Sequence, residues 1–206
     1  MLSYIDPIIF PDRCDVLEIV PSQRYVYPIF KNGSSSLSES GYRVLNHSEL
    51  ATLTNIEVYV RDPFTRFVSG VQKYLDELDP ALDQTTALHF ITEYLFLNRH
   101  CCPQFHWLLN LQRYTNASIT ILPLHQLNDI TSVTTNTSIK NNEVIEVLKQ
   151  NNKIQFYLQI DKVLTEDLLG QTVSFKEIVR TIQTKYPELY TEVIGRSLEI
   201  IKHVMP

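Results

Sequence analysis

The sequence predicts an α/β fold, a single domain with a central, mainly parallel sheet flanked by helices. Strand patterns and helical patterns alternate along the chain, as they do when a parallel sheet is built from β-α-β units. The length of 206 residues is near that of one domain, and a hydrophobic content of 44% is enough for one continuous core. We therefore expect residues 1–206 to form one domain.

The individual elements are predicted from residue type and from the spacing of apolar residues. Segments rich in β-branched and aromatic residues predict strands at 24–30, 55–60, 118–122 and 154–160. Apolar residues at helical spacing predict helices at 36–45, 64–78, 85–98, 102–114, 142–149, 174–185 and 189–203. A polar stretch predicts a surface loop at 131–142.

The connection between the first predicted strand and its helix has the composition of a phosphate site. It reads PIFKNGSSSL over residues 28–37. Gly33 can adopt a positive φ that lets backbone N–H groups approach an anion, and Lys31 adds a cation. Hydroxyl donors follow at the predicted helix N-terminus, where the helix dipole favours negative charge, from Ser34, Ser35 and Ser36. The pattern predicts a P-loop-like strand-loop-helix site without the Walker A spacing, and ordinary turn and cap residues are the alternative.

A second predicted strand, 55–60, also runs directly into a helix. Asp62 is a good N-cap, and Pro63 suits the first helical position. Apolar residues recur along one side of the following segment, 64–78, so this helix is predicted to be amphipathic. The residues at its start therefore lie at the carboxyl end of a strand, where open α/β sheets bind their ligands.

Polar residues at this second connection predict a second phosphate contact. Arg61 ends the strand and Ser69 lies on the polar face of the helix. Arginine binds phosphate in bidentate geometry and serine adds a hydroxyl donor, so the pair can clamp a phosphate. Arg66 and Lys73 lie on the same polar face and are expected to be solvated.

These segments resemble motifs of the sulfotransferases that use 3′-phosphoadenosine 5′-phosphosulfate, PAPS. PIFKNGSSSL is similar to their 5′-phosphosulfate loop, and VRDPFTRFVSGVQKYL, residues 60–75, is similar to their 3′-phosphate motif R-D-P-x-x-R-x-x-S. The second motif looks most like the carbohydrate, Golgi-type branch. His100 to Gln104 resembles the H-x-x-P-Q segment that follows in that branch. Residues 119–127 are loosely similar to the next strand of the family, with Gln126 where an acidic residue is usual.

The resemblance implies a function and a set of binding residues. It implies an enzyme that uses PAPS and releases 3′,5′-adenosine bisphosphate, PAP, with the 3′-phosphate held by Arg61 and Ser69. The 5′-phosphosulfate would be held by Lys31, Asn32, Gly33, Ser34, Ser35 and Ser36. The carbohydrate branch implies a hydroxyl acceptor on a glycan, and a tyrosyl-protein acceptor is the nearest alternative.

Sulfuryl transfer requires a stabilised leaving group and a base for the acceptor's proton. Lys31 is predicted to stabilise the leaving phosphate. His100 is the candidate base because it falls in the H-x-x-P-Q match, and a helix-capping histidine is the alternative interpretation. His47 is the second candidate, since the base often lies between the two motifs in related enzymes, and Glu39 and Glu49 stay open for the same reason.

We expect no metal, because this chemistry does not require one. A zinc site over residues 100–106 is disfavoured, since two adjacent cysteines do not readily bind one ion. Two other function classes stay open. A small kinase would need a full P-loop and an acidic Mg²⁺ ligand, and neither is evident in the sequence. A non-catalytic nucleotide-binding module would keep the cofactor pocket and lack the base.

Composition sets expectations about partners and compartment. The net charge of −5 and the pI near 5.7 give no basic field for nucleic acid, so we expect no nucleic-acid partner. No apolar stretch is long enough for a transmembrane segment. Three cysteines, two of them adjacent, do not suit a disulfide framework. We therefore expect a soluble, cytoplasmic protein in a reducing compartment, as would suit a bacterial or viral source.

Overall fold

The computed structural model describes residues 15–20, 23–29, 31–33, 37, 42–77, 85–86, 89, 100–129 and 142–191. Within these ranges, six strands form one sheet: β1 (Leu17–Ile19), β2 (Arg24–Val26), β3 (Arg43–Val44), β4 (Asn55–Val60), β5 (Ser118–Pro123) and β6 (Thr172–Val173). Their order across the sheet is β3-β1-β2-β4-β5-β6.

The middle of the sheet is parallel and its two sides are antiparallel. β4 runs parallel to both of its neighbours, β2 and β5, and its register with β5 extends from Asn55 opposite Ser118 to Val60 opposite Pro123. β1 is antiparallel to β2 and β3, and β6 is antiparallel to β5, so four of the six strands point the same way. The predicted α/β class with a mostly parallel central sheet is confirmed, and the sheet is mixed.

Seven α-helices are described with their bounds: α1 (His47–Leu50), α2 (Pro63–Glu77), α3 (Gln104–Leu111), α4 (Asn142–Gln150), α5 (Asn152–Lys162), α6 (Phe175–Lys185) and α7 (Pro187–Leu189). A 3₁₀ helix, Leu124–Asp129, follows β5, and a π-helix, Val163–Asp167, continues α5. The predicted helices at 64–78, 102–114, 142–149 and 174–185 are confirmed with small shifts at their ends. None of the helices described is long and apolar enough to cross a membrane.

Two element predictions were wrong. Residues 154–160, predicted as a strand, lie in α5, where Ile154, Leu158 and Asp161 are buried at helical spacing. The aromatic and β-branched composition of this segment had favoured a strand, but the Asn151 side chain accepts a hydrogen bond from Ile154 N at 3.1 Å and starts the helix. The helix predicted at 36–45 does not reach its predicted end, because Arg43–Val44 forms β3.

The sheet buries one cluster of apolar side chains on each face. Alternate residues of β4, Ile56, Val58 and Val60, point into the larger cluster, where they meet apolar residues of α2, α3, α5 and α6. Tyr59 points the other way, into a smaller cluster that includes Leu37 and residues of the 3₁₀ helix. Both clusters extend to the carboxyl ends of the parallel strands, which fixes the positions of the loops that leave them.

The start of α2 follows the sequence prediction. Asp62 Oδ1 accepts hydrogen bonds from the Thr65 backbone N at 2.7 Å and the Thr65 hydroxyl at 2.6 Å. Pro63 is the first helical residue, where its missing N–H leaves no helical hydrogen bond unmade. This cap sets the direction of α2 as it leaves the end of β4.

A glycine in α2 allows the turn before α3 to pack directly against the helix. A Cβ atom built on Gly70 would lie 2.1 Å from His100 O and 2.6 Å from His100 C, both backbone atoms. Only a hydrogen at this position leaves room for the close approach. Gly70 therefore sets how closely residues 100–102 lie against α2.

We predict that Gly70→Ala destabilises the protein by about 1–3 kcal/mol, because the new methyl group would have to displace a backbone turn. The free energy of unfolding, measured by chemical denaturation, checks this. Gln72→Ala on the same helix, at a partly exposed position, is the control and should change the value by less than about 0.5 kcal/mol. A Gly70→Ala protein as stable as the wild type would contradict the close packing.

Candidate functional site at the carboxyl ends of β2 and β4

The loops that follow β2 and β4 meet at one edge of the sheet. The two strands are parallel neighbours, and Tyr27 N donates to Glu57 O at 2.9 Å just beyond β2. At the loops, Arg61 Nη1 donates to Lys31 O at 3.1 Å. The two predicted anion-binding segments, 30 residues apart in sequence at this contact, therefore adjoin in the fold.

The first loop has an unusual backbone. Both Lys31 and Gly33 have a positive φ, at 66° and 76°, and the predicted positive φ of Gly33 is confirmed. For Lys31 this conformation costs about 1–2 kcal/mol, since its Cβ crowds the backbone. Leu37 N donates to Gly33 O at 3.1 Å, and Leu37 is helical. Ser34, Ser35 and Ser36, also predicted to bind the anion, lie outside the described residues.

The Asn32 side chain ties this loop to the protein interior. Asn32 is only 1% exposed, and its Nδ2 donates to Tyr59 O at 2.8 Å and to Gln104 Oε1 at 2.6 Å. Both partners are acceptors, which fixes the orientation of the amide. Asn32 Oδ1 is buried and accepts no hydrogen bond from the described part of the chain.

Gln104 holds the second loop as well as the first. Its Oε1 accepts from Arg61 N at 3.1 Å, and its Nε2 donates to Arg61 O at 2.9 Å. One fully buried side-chain amide thus pairs with both backbone groups of Arg61 and with the Asn32 side chain. The sequence identified Gln104 only as the end of the H-x-x-P-Q segment, and nothing in the local pattern indicated this bridging role.

Asp161, which the sequence analysis did not single out, holds the start of α3. Its Oδ2 accepts from Gln104 N at 2.7 Å and its Oδ1 from Phe105 N at 2.9 Å. The residue before the helix, Pro103, makes no side-chain cap, so this carboxylate satisfies two first-turn N–H groups. Burial raises the pKa of Asp161 to about 6, although Arg66 and the two N–H donors favour its charged form.

The expectation that Arg66 lies in solvent was wrong. Arg66 is 1% exposed, and its Nη1 donates to Cys102 O. It lies one turn before Gly70 on α2, so its side chain faces the segment that packs there. Burial and the positive charge of Arg66 lower the pKa of His106 to about 4. A polar residue on a helix is buried here because a polar backbone segment covers it.

Four cations lie in or beside the two loops: Lys31, Arg61, Arg66 and Lys73. Burial lowers the pKa of Lys31, and Lys73, Arg61 and Arg66 lower it further, while Asp76 raises it. Burial also lowers the pKa of Arg61, with Arg66 contributing. Neither Lys31 nor Arg61 has a carboxylate within salt-bridge distance in the described ranges. The site therefore holds positive charge that an anion would neutralise.

Arg61 and Ser69 carry further hydrogen-bond donors near these cations. Arg61 Nη2 is buried and has no hydrogen-bond partner among the residues described. Ser69 lies between Arg66 and Lys73 on one face of α2, and both of these cations act on Lys31. Ser69 is partly exposed.

The histidines predicted as bases lie in different places. His100 is partly buried in the turn that packs on Gly70 and leads to Gln104. His47 is exposed and packs on Tyr114, with ring centroids 5.0 Å apart. The His47 and Tyr114 rings lie before β4 and β5, at the amino ends of these strands. The strands are about 20 Å long, and Lys31 lies beyond the carboxyl end of β2, so the fold does not bring His47 to Lys31.

The two glutamates left open as bases give no further candidate in the described site. Glu49 is on α1 near His47, where it accepts from Asn46 N at 2.8 Å and pairs with Arg43 at 2.5 Å. Glu39 lies outside the described residues. Of the predicted bases with a described position, His100 alone lies on a segment that contacts the cationic site.

A cavity of about 350 Å³ opens beside Arg61, between the carboxyl ends of β4 and β5. Arg61 and Asp62 line one side, Leu124 and His125 line the side after β5, and Thr165 comes from the π-helix. Arg61 thus borders both the Lys31 loop and this cavity. The volume lies in the range of small-ligand sites.

The cysteines beside the site are buried thiols. Burial raises the pKa of Cys101 to about 12 and raises that of Cys102 above its ordinary value, with Arg66 acting in the opposite direction in both cases. In the ranges described, no three His, Cys, Asp or Glu side chains come together in a way that could hold a metal ion. Comparison of the chain with models of known families, with curated proteins and with solved structures gives no match.

We predict that Asn32→Asp destabilises the protein by about 2–4 kcal/mol, because it removes the donor shared by two buried acceptors, Tyr59 O and Gln104 Oε1, and adds a buried charge. Chemical denaturation checks this. Asn116→Asp is the matched control: Asn116 is exposed and its Oδ1 accepts from Gln112 Nε2 at 2.9 Å, which an aspartate can also do, so its change should stay within about 0.5 kcal/mol. Equal effects at the two positions would contradict the role given to Asn32.

Proposed function

We propose that this chain is a PAPS-dependent sulfotransferase that transfers a sulfuryl group to a hydroxyl acceptor. The contact between Arg61 Nη1 and Lys31 O is the observation that carries the proposal, because it joins the two segments that resemble the cofactor motifs. If the two segments bind one cofactor, they must be neighbours in the fold. They follow β2 and β4, which are adjacent parallel strands. Gln104, from the third similar segment, hydrogen-bonds to both.

The positive charge around Lys31 and Arg61 suits a doubly phosphorylated adenosine. Lys31 and Gly33, continued by Ser34, Ser35 and Ser36, would hold the 5′-phosphosulfate. Asn32 would hold the loop in shape, because its backbone N donates to Ile29 O at 3.0 Å and its Nδ2 to Tyr59 O and Gln104 Oε1. Arg61 and Ser69 would hold the 3′-phosphate, and the buried Arg61 Nη2 offers an unused donor for it. The cavity beside Arg61 would accept the nucleoside, with apolar contacts from Leu124.

The proposed reaction is an in-line transfer. The acceptor oxygen forms a bond to sulfur while the bond between sulfur and the bridging 5′-phosphate oxygen breaks, and PAP leaves with the electron pair of that bond. Lys31 stabilises the negative charge on the leaving phosphate, since its half-buried ammonium has no carboxylate partner in the described ranges. His100 takes the proton of the acceptor hydroxyl.

The acceptor belongs to the proposal and rests on the resemblance. The form of the 3′-phosphate motif and the H-x-x-P-Q segment favours a carbohydrate hydroxyl, and a tyrosyl-protein hydroxyl is the alternative. A module that binds the nucleotide without turnover shares every binding contact described above. Turnover therefore separates the enzyme from the binding module, and a panel of acceptors separates the two acceptor classes.

We expect PAP to bind the wild-type protein and raise its melting temperature. Arg61→Ala should raise the dissociation constant for PAP about 10- to 100-fold, because it removes a charge-assisted contact, and Ser69→Ala about 3- to 10-fold. Isothermal titration calorimetry measures both changes.

Arg113→Ala is the matched control for this binding experiment. Arg113 is exposed and lies over the Tyr114 ring, 5.9 Å from its centroid, near the amino end of β5. The Arg113→Ala protein should bind PAP with the wild-type dissociation constant. Normal PAP binding by both site variants would remove the second-phosphate assignment, and stabilisation of the wild type by ATP alone would remove the sulfotransferase proposal.

We expect two substitutions to lower turnover of radiolabelled PAPS with a glycan acceptor. Lys31→Ala should lower kcat about 10²- to 10³-fold, since it removes the charge that stabilises the leaving group. His100→Ala should lower kcat about 10²- to 10⁴-fold. It should also abolish the rise of kcat with pH that accompanies deprotonation of a general base.

Lys149→Ala is the control for turnover, because Lys149 is exposed and forms a surface ion pair with Glu146 on α4, at 3.1 Å. It should keep wild-type kcat. Full turnover of Lys31→Ala would contradict the role of this cation. Full turnover of His100→Ala at every pH would assign the base to another residue. A wild-type protein that binds PAP and transfers sulfate to neither glycans nor tyrosine peptides would favour the binding module.

A further inference from the structure

Asp161 fixes the residue at which α3 begins. Its two carboxylate oxygens accept from the backbone N of Gln104 at 2.7 Å and of Phe105 at 2.9 Å. A carboxylate at a helix N-terminus is favoured by the unpaired N–H groups and by the helix dipole. Because α3 is eight residues long and starts after an uncapped proline, this contact from α5 determines the position of its first turn.

The first residue of that turn is also the residue that holds the site. The Gln104 backbone is bound to Asp161, while the Gln104 side chain is bound to Arg61 and Asn32. The side-chain amide makes three hydrogen bonds. Two are to the backbone N and O of Arg61, and the third is to the Asn32 side chain. A shift at the start of α3 would therefore move the amide away from both loops.

We propose that Asp161 is a positioning residue for the bisphosphate site and acts through Gln104. This inference rests on the proposed function, because its readout is the affinity for PAP. The carboxylate does not touch the ligand. It holds the α3 backbone so that the Gln104 amide keeps Arg61 and Asn32 in the geometry that binds the phosphates.

The charged groups around Asp161 allow its contribution to be followed by pH. Arg66 on α2 and the Cys102 thiol before α3 face it, and Lys162 on its own helix is exposed. The pKa of Asp161 is raised by burial to about 6, the pKa of Cys102 lies above its ordinary value, and His106 beside Arg66 has a pKa of about 4. Of these groups, Asp161 changes charge between pH 7.5 and 5.

A double-mutant cycle tests the inference. PAP affinity is measured at pH 7.5 for the wild type, Asp161→Asn, Gln104→Met and the double variant. Asp161→Asn keeps the shape of the side chain and one acceptor, and it should weaken PAP binding about tenfold. In the Gln104→Met background the same substitution should not weaken binding further, because the side chain through which Asp161 acts is gone.

Melting temperatures distinguish this role from a purely structural one. The N–H groups of residues 104 and 105 persist in Gln104→Met, so Asp161→Asn should lower the melting temperature in both backgrounds. Asn46→Ala, which removes the cap of α1 at the amino end of the sheet, is the control for lost stability. It should lower the melting temperature and leave PAP affinity unchanged.

A pH series keeps the test valid if Asp161→Asn does not fold. PAP affinity is measured from pH 7.5 to pH 5 for the wild type and Gln104→Met, and their ratio cancels the titration of the ligand phosphates. The ratio of the wild-type PAP affinity to that of Gln104→Met should fall as Asp161 takes up a proton near pH 6. A protonated carboxyl group accepts well from only one of the two N–H groups.

Equal PAP affinity of the wild type and Asp161→Asn overturns the inference and leaves the proposed function in place. Independent, multiplicative losses in the double-mutant cycle also overturn it, as does an affinity ratio that does not change with pH. A wild-type protein that binds no PAP overturns the proposed function and this inference together.

Discussion

The bridge made by the Gln104 amide is the constraint on which the rest of the site depends. Its oxygen and nitrogen pair with the backbone of Arg61, and the oxygen also accepts from Asn32, all in the protein interior. A buried amide that loses one partner keeps the cost of its desolvation, so partial versions of this network are unfavourable. The loops after β2 and β4 are therefore held in one arrangement relative to each other, and the positions of their cations follow.

That arrangement concentrates positive charge in a protein whose net charge is −5. Lys31, Arg61 and Arg66 are all partly or fully buried near one another. Arg61 and Arg66 lower the pKa of Lys31, and Arg66 lowers the pKa of Arg61. Hydrogen bonds to the carbonyl oxygens of Lys31 and Cys102 orient the guanidinium groups of Arg61 and Arg66. The strained φ of Lys31 adds a further local cost. Such costs are typical of sites that bind an opposite charge, and the fold meets them through its apolar clusters.

The sequence predicted those parts of the molecule that are encoded locally. β4 alternates and α2 carries a cap and an apolar stripe, so both could be placed within a residue or two. Three strands, β1, β3 and β6, were missed from the sequence, since they have two or three residues each and show no period, and α5 has a composition that favours a strand. Arg66 was placed in solvent because a helical pattern gives the face of a residue and does not say what covers that face. The contacts of Asp161 span 57 residues, and no local signal marks them.

The long sequence separations within the Gln104 network determine when the site can form during synthesis. Arg61 and Lys31 are 30 residues apart, Gln104 and Asn32 are 72 apart, and the carboxylate that caps α3 comes 57 residues after Gln104. Each contact closes a long loop, which places it late in folding relative to local helices. A nascent chain on the ribosome has both cation loops long before residue 161 emerges. Until then the first turn of α3 lacks its anchor, and the Gln104 network stays incomplete while most of the sheet is already available.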